Sequence, residues 1–277
     1  MSAYTRMNKI GRGSYGDVFK VTRNSDGKVL VIKEVSLLGV SKEEENEILN
    51  ETEIIKKLDH RHIVSCVESF VENDVLHIVM EYASGGDLAA VIKRNSAAGK
   101  YITEEQFWSY LIQITLGLQH MHSRRVLHRD VKASNVFLDQ NGDIKIGDLG
   151  LGKVLSSKTT CAISQVGTPI YFSPEICEGK PYDTKSDVWA LGCLLFELVT
   201  CKPPFQAANQ PQLLKKIVND PPEAHVPSHY SREIPFIIGK LLDKDPRKRP
   251  SPDSILNYSA VQIRIERARF KQQEMEL

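Results

Sequence analysis

The chain has 277 residues, of which 41% are hydrophobic and 26% charged, and its net charge is +1. This composition is typical of a soluble globular protein with room for two lobes, each with its own core. The near-neutral charge disfavours nucleic acid or an anionic membrane as the main partner. Five cysteines without a Cys-x-x-Cys pair, and the lack of an apolar run in residues 1–10, predict free thiols and a protein that is not secreted.

A glycine-rich turn, Gly11-Arg12-Gly13-Ser14-Tyr15-Gly16, is the first informative stretch. Glycines let backbone amides approach a phosphate without interference from side chains. Dinucleotide-binding folds share this spacing, but there it opens a helix, whereas the residues from Asp17 to Thr22 alternate like a strand. A Rossmann fingerprint is therefore disfavoured, and a P-loop enzyme is excluded because Gly-x-x-x-x-Gly-Lys-Ser/Thr is missing.

A third strand follows over residues 28–35 and carries Lys33, which we interpret as a phosphate ligand rather than a solvated lysine. Residues 41–58 are predicted to form an amphipathic helix, with Ser41 as its cap and Glu44 at the third helical position. The apolar face of this helix is expected to contain Ile48, Thr52, Ile55 and Leu58.

Two more strands are predicted within residues 64–80, around a polar turn at residues 72–74. Glycines then interrupt the pattern within residues 81–87. Thr103 and Gln106 form a capping-box pattern that predicts the start of a long helix. The core stripe expected on this helix is Phe107, Leu111, Ile114, Leu118 and Met121.

The segment from His128 to Asn135, together with Asp148-Leu149-Gly150, contains two carboxylates, an ammonium and an amide close together in the sequence. Residues 136–146 between them are predicted to form a hairpin with an Asn-Gly turn. Such a hairpin brings Asn135 and Asp148 close enough to share magnesium ions, with Asp130 facing the same point. Metal-binding oxygens, cations and a carboxylate that accepts a hydroxyl proton are what phosphoryl transfer needs.

This order of His-Arg-Asp, four residues, Asn and then Asp-x-Gly is the protein-kinase signature. Residues 4 to 258 resemble a eukaryotic protein kinase catalytic domain. Three stretches are similar to the NIMA-related (Nek) serine/threonine kinases: Glu81 to Ile92, His128 to Leu138 and Val166 to Glu175.

The resemblance implies an α+β, bilobal protein-kinase fold. A small, mainly antiparallel β N-lobe with one key helix is expected over residues 1–80, and a hinge over residues 81–84. A larger, mainly α-helical C-lobe would follow over residues 85–258 and contain the activation segment, residues 148–175. Residues 259–277 are expected to be a helix docked on the larger lobe or the start of a coiled coil.

The same resemblance implies transfer of the γ-phosphoryl group of ATP to serine or threonine hydroxyls with the help of Mg²⁺. Asp130 would orient the hydroxyl and accept its proton, and Lys132 would steady the γ-phosphate. Asn135 and Asp148 would hold magnesium. The catalytic residues implied in this way are Asp130, Lys132, Lys33, Asn135 and Asp148.

For the nucleotide, the family pattern implies contacts from both lobes. Glu51 would hold Lys33, and this pair would form only when its helix swings inward. Backbone groups of Glu81 and Ala83 would bind the adenine edge. The full set expected around ATP is Ile10, Gly11, Arg12, Gly13, Ser14, Tyr15, Gly16, Val18, Val31, Lys33, Glu51, Met80, Glu81, Ala83 and Phe137. Outside this set, Asp187 is expected to brace the catalytic-loop backbone.

Regulation is expected in the activation segment. A phosphate there would pair with Arg129, and family position favours Ser164 as its site. Leu149 replaces the usual Phe, which is expected to affect how readily the segment leaves its active position. A buried pair between Glu175 and Arg249 is expected to be structural.

Substrate preference is inferred from four positions. Lys132 and Thr168 favour serine/threonine acceptors over tyrosine, and Leu151 favours serine. Ser134 stands where many basophilic kinases have glutamate, so an apolar residue upstream of the acceptor is expected instead of arginine.

Alternatives stay open for function and partners. A pseudokinase scaffold that binds nucleotide or partners without transfer is the second interpretation. Protein substrates, an activating kinase or autophosphorylation are the implied partners, with dimerisation through a C-terminal coiled coil if the full protein has one. Relatives act in the cell cycle, at microtubules and centrosomes and in cilia, so a cytoplasmic, cytoskeletal or nuclear location is expected.

Overall fold

An antiparallel sheet precedes a mainly helical region in the computed structural model, which describes residues 3–13, 16–148 and 169–275. The strands are β1 (Tyr4–Gly13), β2 (Gly16–Arg23), β3 (Val29–Ser36), β4 (Cys66–Glu72), β5 (Val75–Glu81), β6 (Val136–Leu138) and β7 (Ile144–Ile146). The helices are α1 (Lys42–Lys56), α2 (Leu88–Ala97), α3 (Glu104–Ser123), α4 (Pro174–Cys177), α5 (Thr184–Thr200), α6 (Gln210–Asn219), α7 (Glu233–Leu241), α8 (Pro252–Leu256) and α9 (Ser259–Met275).

The N-terminal sheet has the order β1-β2-β3-β5-β4, and all its neighbours are antiparallel. Val18 lies opposite Lys33, and Val31 lies opposite Met80. Directly opposed residues share a face of the sheet, so these four side chains lie on one side. The opposite side buries an apolar cluster of Tyr4, Val21, Leu30, Ile32 and Val79.

Helix α1 begins with the expected capping box, in which Ser41 and Glu44 bond reciprocally to each other's backbone amides. Its buried residues are Ile48, Thr52 and Ile55, as the periodicity predicted. Ile48 and Ile55 pack with β3 and β5 residues and with Met121 of α3, which is fully buried. The two regions of the chain therefore share one core cluster.

The helical region is built around α5. Residues of this helix from Ser186 to Phe196 are buried without interruption, because α5 is surrounded by other C-lobe elements. The predicted stripe of α3 is also confirmed, since all five of its residues are fully buried. None of the helices in the described residues has the length and apolar character that a membrane crossing requires.

The predicted hairpin is confirmed as β6 and β7. Its turn is closed by Asp139, whose Oδ1 accepts the amides of Asn141 (2.8 Å) and Asp143 (3.0 Å). Gly142 adopts a left-handed backbone with φ of 82°. The hairpin is tied to the N-lobe because the Val64 amide donates to the carbonyl of Ile146 at 2.8 Å.

Helix α9 is docked on the larger lobe where it begins. Val261 is fully buried, and the Arg264 guanidinium lies 4.1 Å from the centre of the Trp108 ring. Arg264 also pairs with Glu104 at 3.2 Å. Further along the helix Phe270 is 66% exposed, so the docking concerns the first turns.

Candidate active site

The catalytic-loop carboxylate is oriented by two side chains from the same loop. Oδ2 of Asp130 accepts hydrogen bonds from Nζ of Lys132 (2.7 Å) and Nδ2 of Asn135 (2.8 Å). Asn135 also donates to the Asp130 carbonyl at 2.9 Å. Oδ1 of Asp130 has no partner in the part of the chain that the structure describes, and the side chain is 47% exposed. This oxygen is therefore free to accept a proton from an incoming hydroxyl.

His128 connects this loop to the segment before Asp148. Its ring is fully buried, and its Nδ1 accepts the amide of Asp130 at 3.2 Å. Nε2 must then carry the proton, which it donates to the Gly147 carbonyl at 3.1 Å. The imidazole thus sets the distance between the loop and the residue that precedes Asp148.

Asp187 braces the loop backbone, as expected. Its oxygens accept the amides of His128 (3.0 Å) and Arg129 (2.9 Å). They also accept hydrogen bonds from His122 Nε2 (2.8 Å) and the Tyr182 hydroxyl (2.6 Å). Burial alone would raise the pKa of this fully buried carboxyl, but the His122 bond, the nearby imidazoles and the Tyr182 bond together lower it.

Lys33 forms an ion pair with Asp148. The lysine side chain is 6% exposed and that of Asp148 is 34% exposed. Asp148 has a left-handed backbone with φ of 53°, and Arg129 has one with φ of 67°. Non-glycine residues seldom adopt this conformation, which is often concentrated at functional sites.

The expected pair between Lys33 and Glu51 is not formed. Among the described residues no bond joins them, and Oε2 of Glu51 is buried without a partner. Burial raises the pKa of the Glu51 carboxyl, and the positive charge of Arg129 partly opposes that rise. In this arrangement Lys33 pairs with Asp148 instead, and the pair with Glu51 is expected only when α1 lies further inward.

The expected nucleotide contacts on the sheet share one face. Gly11 lies opposite Val18, which lies opposite Lys33. Val31 is buried and lies opposite Met80, on the same side as Lys33. The face that carries the lysine therefore also offers apolar surface suited to an adenine ring.

The glycine-rich turn is described on both sides of its tip. Gly13 pairs with Gly16, while Ile10 is 44% exposed. Arg12 is exposed, with its Nε 3.7 Å from a carboxylate oxygen of Asp17. Two expected contacts lie outside the described residues, Ser14 and Tyr15.

The segment that joins the two regions is held by Glu81. Its carboxylate accepts the Ser65 amide (2.8 Å) and pairs with Lys145 on β7 (2.9 Å). The Glu81 amide is committed to the Ser65 carbonyl at 3.0 Å, so only its carbonyl remains for a ligand. The Ala83 amide, by contrast, has no acceptor in residues 3–13, 16–148 and 169–275 and is available to a ligand.

Phe137 lies on β6, next to this connecting segment. It forms an isolated bridge with Asp87, and its ring packs so closely on Gly147 that a Cβ there would come within 2.8 Å. A close approach of this kind explains why glycine precedes Asp148. Phe137 is half-buried, in a position suited to contact the face of an adenine ring that lies away from Val18 and Val31.

The Glu175–Arg249 pair is present and buried. Nη1 and Nη2 of Arg249 bind the two carboxylate oxygens of Glu175 at 2.7 and 2.5 Å. The guanidinium also lies 5.0 Å from the Trp189 ring centre. Burial opposes ionisation of Glu175, but the bonds from Arg249 outweigh it and lower its pKa to about 2.

Three regulatory residues fall outside the described part of the chain, namely Leu149, Ser164 and Thr168. Arg129 is described and exposed, with its backbone held by Asp187.

The donor set at Asn135 and Asp148 fits a magnesium ion. Nδ2 of Asn135 is committed to Asp130, so its Oδ1 remains as an acceptor, and Asp148 adds carboxylate oxygens. Within the described ranges no three His, Cys, Asp or Glu side chains converge on a metal position. Two oxygen ligands supplemented by water and phosphate oxygens are what Mg²⁺ prefers.

Sequence reasoning missed three contributors to this site: His122, Tyr182 and Lys145. His122 and Lys145 act through contacts with residues 65 and 64 positions away in the chain, whereas Tyr182 contacts Asp187 five residues further on. Periodicity within a single helix or strand carries no signal for such partners.

Comparisons with known proteins agree with this geometry. The family model described as "Protein kinase domain" matches residues 4–260. The chain is 43% identical over 269 residues to "Serine/threonine-protein kinase Nek1" of Mus musculus, covering 96% of this chain and 22% of that protein.

Two further relatives extend the comparison. "Serine/threonine-protein kinase Nek5" of Homo sapiens is 42% identical over 260 residues, covering 92% of this chain and 36% of that protein. "Probable serine/threonine-protein kinase nek2" of Dictyostelium discoideum is 40% identical, covering 96% and 64% respectively. The chain thus spans less than two thirds of the length of each of these relatives.

Proposed function

Since this chain belongs to the protein kinase domain family, we propose that it is a NIMA-related protein serine/threonine kinase. Members of this family use ATP and a divalent metal ion and act on protein substrates. The observation that supports the proposal best is the bonding of Asp130 to both Lys132 and Asn135. A scaffold without catalytic activity is not favoured, because Lys33 and Asp148 are present as well.

Asp130 acts as the base in this proposal. Its Oδ2 is held by two donors, which leaves Oδ1 to accept the proton of a serine or threonine hydroxyl. Lys132 lies 2.7 Å from the same carboxylate, so its ammonium can reach an oxygen of the transferring phosphoryl group next to it. The loop therefore holds the acceptor and the γ-phosphate side by side.

Magnesium is the proposed metal, held by Asn135 and Asp148. The ion would supply positive charge that neutralises the phosphates. Asn135 can serve both roles, since its Nδ2 orients Asp130 and its Oδ1 would remain to hold the ion. Asp148 would hold the ion with its carboxylate oxygens, one of which is paired with Lys33 in this structure.

For the nucleotide we propose a site between the sheet face and Phe137, with residues 81–84 as the hinge. The free Ala83 amide and the Glu81 carbonyl are placed on the segment that would meet the adenine edge. Val18 and Val31 would cover one side of the ring and Phe137 the other. Glu51 would form an ion pair with Lys33 only in the active arrangement, in which α1 lies further inward.

For substrates we propose serine in preference to threonine, with an apolar residue upstream. Lys132 and Ser134 are the residues that support this assignment. Activation is proposed to require a phosphate on the activation segment, at Ser164, that pairs with Arg129. Autophosphorylation or a separate kinase would supply it.

The wider setting is also proposed from the family. Cytoplasmic signalling in the cell cycle, at microtubules or centrosomes or in cilia, fits the Nek relatives. Dimerisation through a coiled coil beyond α9 would fit the exposed later turns of that helix.

The test measures transfer of radiolabelled phosphate from ATP to a serine/threonine peptide library, with and without Mg²⁺. We expect Asp130→Asn to lower turnover by about 10²- to 10⁴-fold, because the base is lost while the side-chain shape is kept. Asp59→Asn makes the same chemical change at an exposed position and should leave turnover within about twofold. A folded wild-type protein that transfers no phosphate after treatment with an activating kinase would rule out the proposal.

A further inference from the structure

A cation–π contact joins β2 to the segment between the two lobes. Nζ of Lys20 lies 4.5 Å from the centre of the Tyr82 ring. An ammonium group over the face of an aromatic ring is attracted by the electrons of that ring. Both side chains are partly exposed, so this contact lies at the edge of the fold and outside its apolar core.

The sheet register places Lys20 on the face that carries the proposed nucleotide contacts. Lys20 lies opposite Val31 on β3, and Val31 lies opposite Met80 on β5. Directly opposed residues share a face, so the three side chains lie on one side of the sheet. Tyr82 comes directly after the last residue of β5. The contact therefore lies at the end of this face, where the chain leaves the sheet.

Ala83 lies between two points at which the connecting segment is held. On one side, Tyr82 is attached to the N-lobe through Lys20. On the other side, the Gly85 amide donates to the carbonyl of Leu138 on β6 at 2.8 Å. The Ala83 amide, which is free among the described residues, is thus flanked by an attachment to each lobe.

The backbone of Tyr82 determines where the Ala83 amide points. A peptide unit is planar, and the N–H of Ala83 belongs to the unit that begins at Tyr82. Glu81 is held by its own bonds, but rotation about the Tyr82 backbone lies between Glu81 and this N–H. A contact that fixes the Tyr82 side chain therefore restricts the direction of the Ala83 donor.

We propose that Lys20 and Tyr82 form a clamp that positions the Ala83 amide against the adenine edge and thereby favours adenine over hypoxanthine. The clamp rests on the proposed nucleotide site and adds two positioning residues to it. Adenine offers an acceptor at N1 for the Ala83 amide and an amino donor for the Glu81 carbonyl. Hypoxanthine carries a hydrogen on N1 and an acceptor oxygen in place of the amino group, so both bonds are mismatched.

The expected effect falls on the base. A partly exposed cation–π contact is worth about a two- to fivefold change in an equilibrium constant. Lys20→Met keeps an unbranched side chain and removes the charge. The dissociation constant of adenosine should therefore rise by about two- to fivefold in this variant, while that of inosine should change by less than about 1.5-fold.

A direct attraction between Lys20 and the phosphates would give a different pattern. In that case Lys20→Met would weaken the binding of ATP and leave adenosine unaffected. The clamp acts on the base alone, which adenosine and ATP share. We therefore expect the same fold-change for the two ligands.

Three further variants separate the contact from a general loss of charge or bulk. Lys20→Arg keeps a cation over the ring and should bind adenosine within about 1.5-fold of wild type. Tyr82→Leu removes the ring, so adding Lys20→Met to it should weaken adenosine by less than about 1.5-fold. Lys28→Met removes an exposed lysine from the turn between β2 and β3 and should leave all affinities within about 1.5-fold.

The experiment measures equilibrium dissociation constants of adenosine, inosine and ATP with Mg²⁺ by calorimetric titration. It uses the full 277-residue chain, after circular dichroism has shown that each variant is folded. No transferase activity is needed for these measurements. The supporting result is a ratio of inosine to adenosine dissociation constants that falls by about two- to fivefold in Lys20→Met and returns in Lys20→Arg.

An unchanged ratio in Lys20→Met would overturn the proposal, and so would a loss of affinity confined to ATP. Independent, additive effects of Lys20→Met and Tyr82→Leu would also overturn it, since they would show that the two residues do not act together. If Tyr82→Leu does not fold, the comparison of Lys20→Met with Lys20→Arg decides, because equal weakening in both contradicts the clamp. A wild-type protein that binds neither adenosine nor ATP would refute the proposed nucleotide site itself.

Discussion

Gly16 shows how one residue can serve two purposes. A Cβ at this position would lie 1.6 Å from the carbonyl oxygen of Glu34 on β3. From the sequence, this glycine is expected to let a phosphate approach the backbone. The structure adds a second reason, close packing against Glu34, which the sequence does not reveal because Glu34 lies on another strand. Gly16 lies on β2, which pairs with β3, the strand that carries Lys33.

Gly16→Ala should therefore push β2 from β3. We expect the free energy of unfolding to fall by about 1–3 kcal/mol and ATP affinity to fall with it. Urea denaturation and nucleotide titration measure the two effects. Gly239→Ala is the control, because that glycine is exposed within α7 and a Cβ meets nothing within 4 Å; this variant should be equally or more stable.

The Glu175–Arg249 pair makes the free energy of unfolding depend on pH in the acid range. The pKa of Glu175 is lowered from 4.5 to about 2, so the folded protein holds the charged form more strongly than the unfolded chain. The stabilisation is present above the unfolded pKa and is lost as the pH falls from about 4.5 to about 2. By linkage it amounts to about 3 kcal/mol at neutral pH.

Glu175→Gln should remove this part of the acid dependence and destabilise the protein by about 3–5 kcal/mol at pH 7, because Arg249 stays buried without its partner. Chemical denaturation between pH 2 and 7 compares the variant with wild type. Glu178→Gln, which removes one charge of the exposed ion pair between Glu178 and Lys180, should change stability by less than about 0.5 kcal/mol. Parallel pH profiles for wild type and Glu175→Gln would contradict the prediction.

At the scale of elements, helix α1 shows which features local spacing can predict. Its cap, its buried face and its length follow from local spacing and were predicted from the sequence. Whether Glu51 reaches Lys33 does not follow from local spacing, because it depends on where the whole helix lies relative to β3. Local patterns specify an element, while the distance between two elements is set by contacts that no local pattern contains.

Glu51→Gln tests the function assigned to this helix. The raised pKa of Glu51 means that its charged form is disfavoured by burial, so this carboxyl lowers stability as the pH rises above its unfolded value. The Gln variant should therefore be as stable as wild type at pH 7, or more so. Turnover should nevertheless fall by about 10²-fold or more, because Lys33 loses its partner in the active arrangement.

Thermal melts measure the stability of each variant and kinase assays measure its turnover, so the two together test both expectations. Glu47→Gln is the control on the same helix, since Glu47 is exposed, and it should alter neither quantity measurably. A large loss of stability in Glu51→Gln, or full activity, would count against the assignment.

The same distinction applies to the site as a whole. The catalytic-loop triplet Asp130, Lys132 and Asn135 was predictable because its members lie close together in the sequence. The hairpin that carries Asp148 was predictable from its turn. The Glu81–Lys145 pair and the His122 contact were not, because each joins residues from separate elements through tertiary packing.

At the scale of the molecule, Met121 couples the two lobes. This residue of α3 is completely buried in the cluster that contains Ile48 of α1 and Ile78 of β5. Since the cluster draws on both regions, neither can expose its share without the other losing contacts. We expect the lobes to unfold together.

Met121→Ala should lower the free energy of unfolding by about 2–5 kcal/mol in both lobes. Tryptophan fluorescence reports the C-lobe, where Trp108 and Trp189 lie, and hydrogen exchange of the β3 amides reports the N-lobe. Met7→Ala is the control, because Met7 is 53% exposed and should cost less than about 0.5 kcal/mol. Separate transitions in the two probes would show that the shared cluster does not couple the lobes.

The ion pair between Lys33 and Asp148 has a consequence for ligand choice. In the proposed site Lys33 would bind the triphosphate and Asp148 its metal ion, and the two groups neutralise one another in this structure. Adenosine would need neither group. On this proposal we expect ATP binding to separate the pair, so that the apparent dissociation constant of ATP rises in inverse proportion to the fraction of molecules in which the two groups are apart. An inward movement of α1 would offer the lysine another carboxylate and release Asp148. The ratio of adenosine to ATP affinity in solution would therefore report the fraction of molecules in which the ion pair between Lys33 and Asp148 is open.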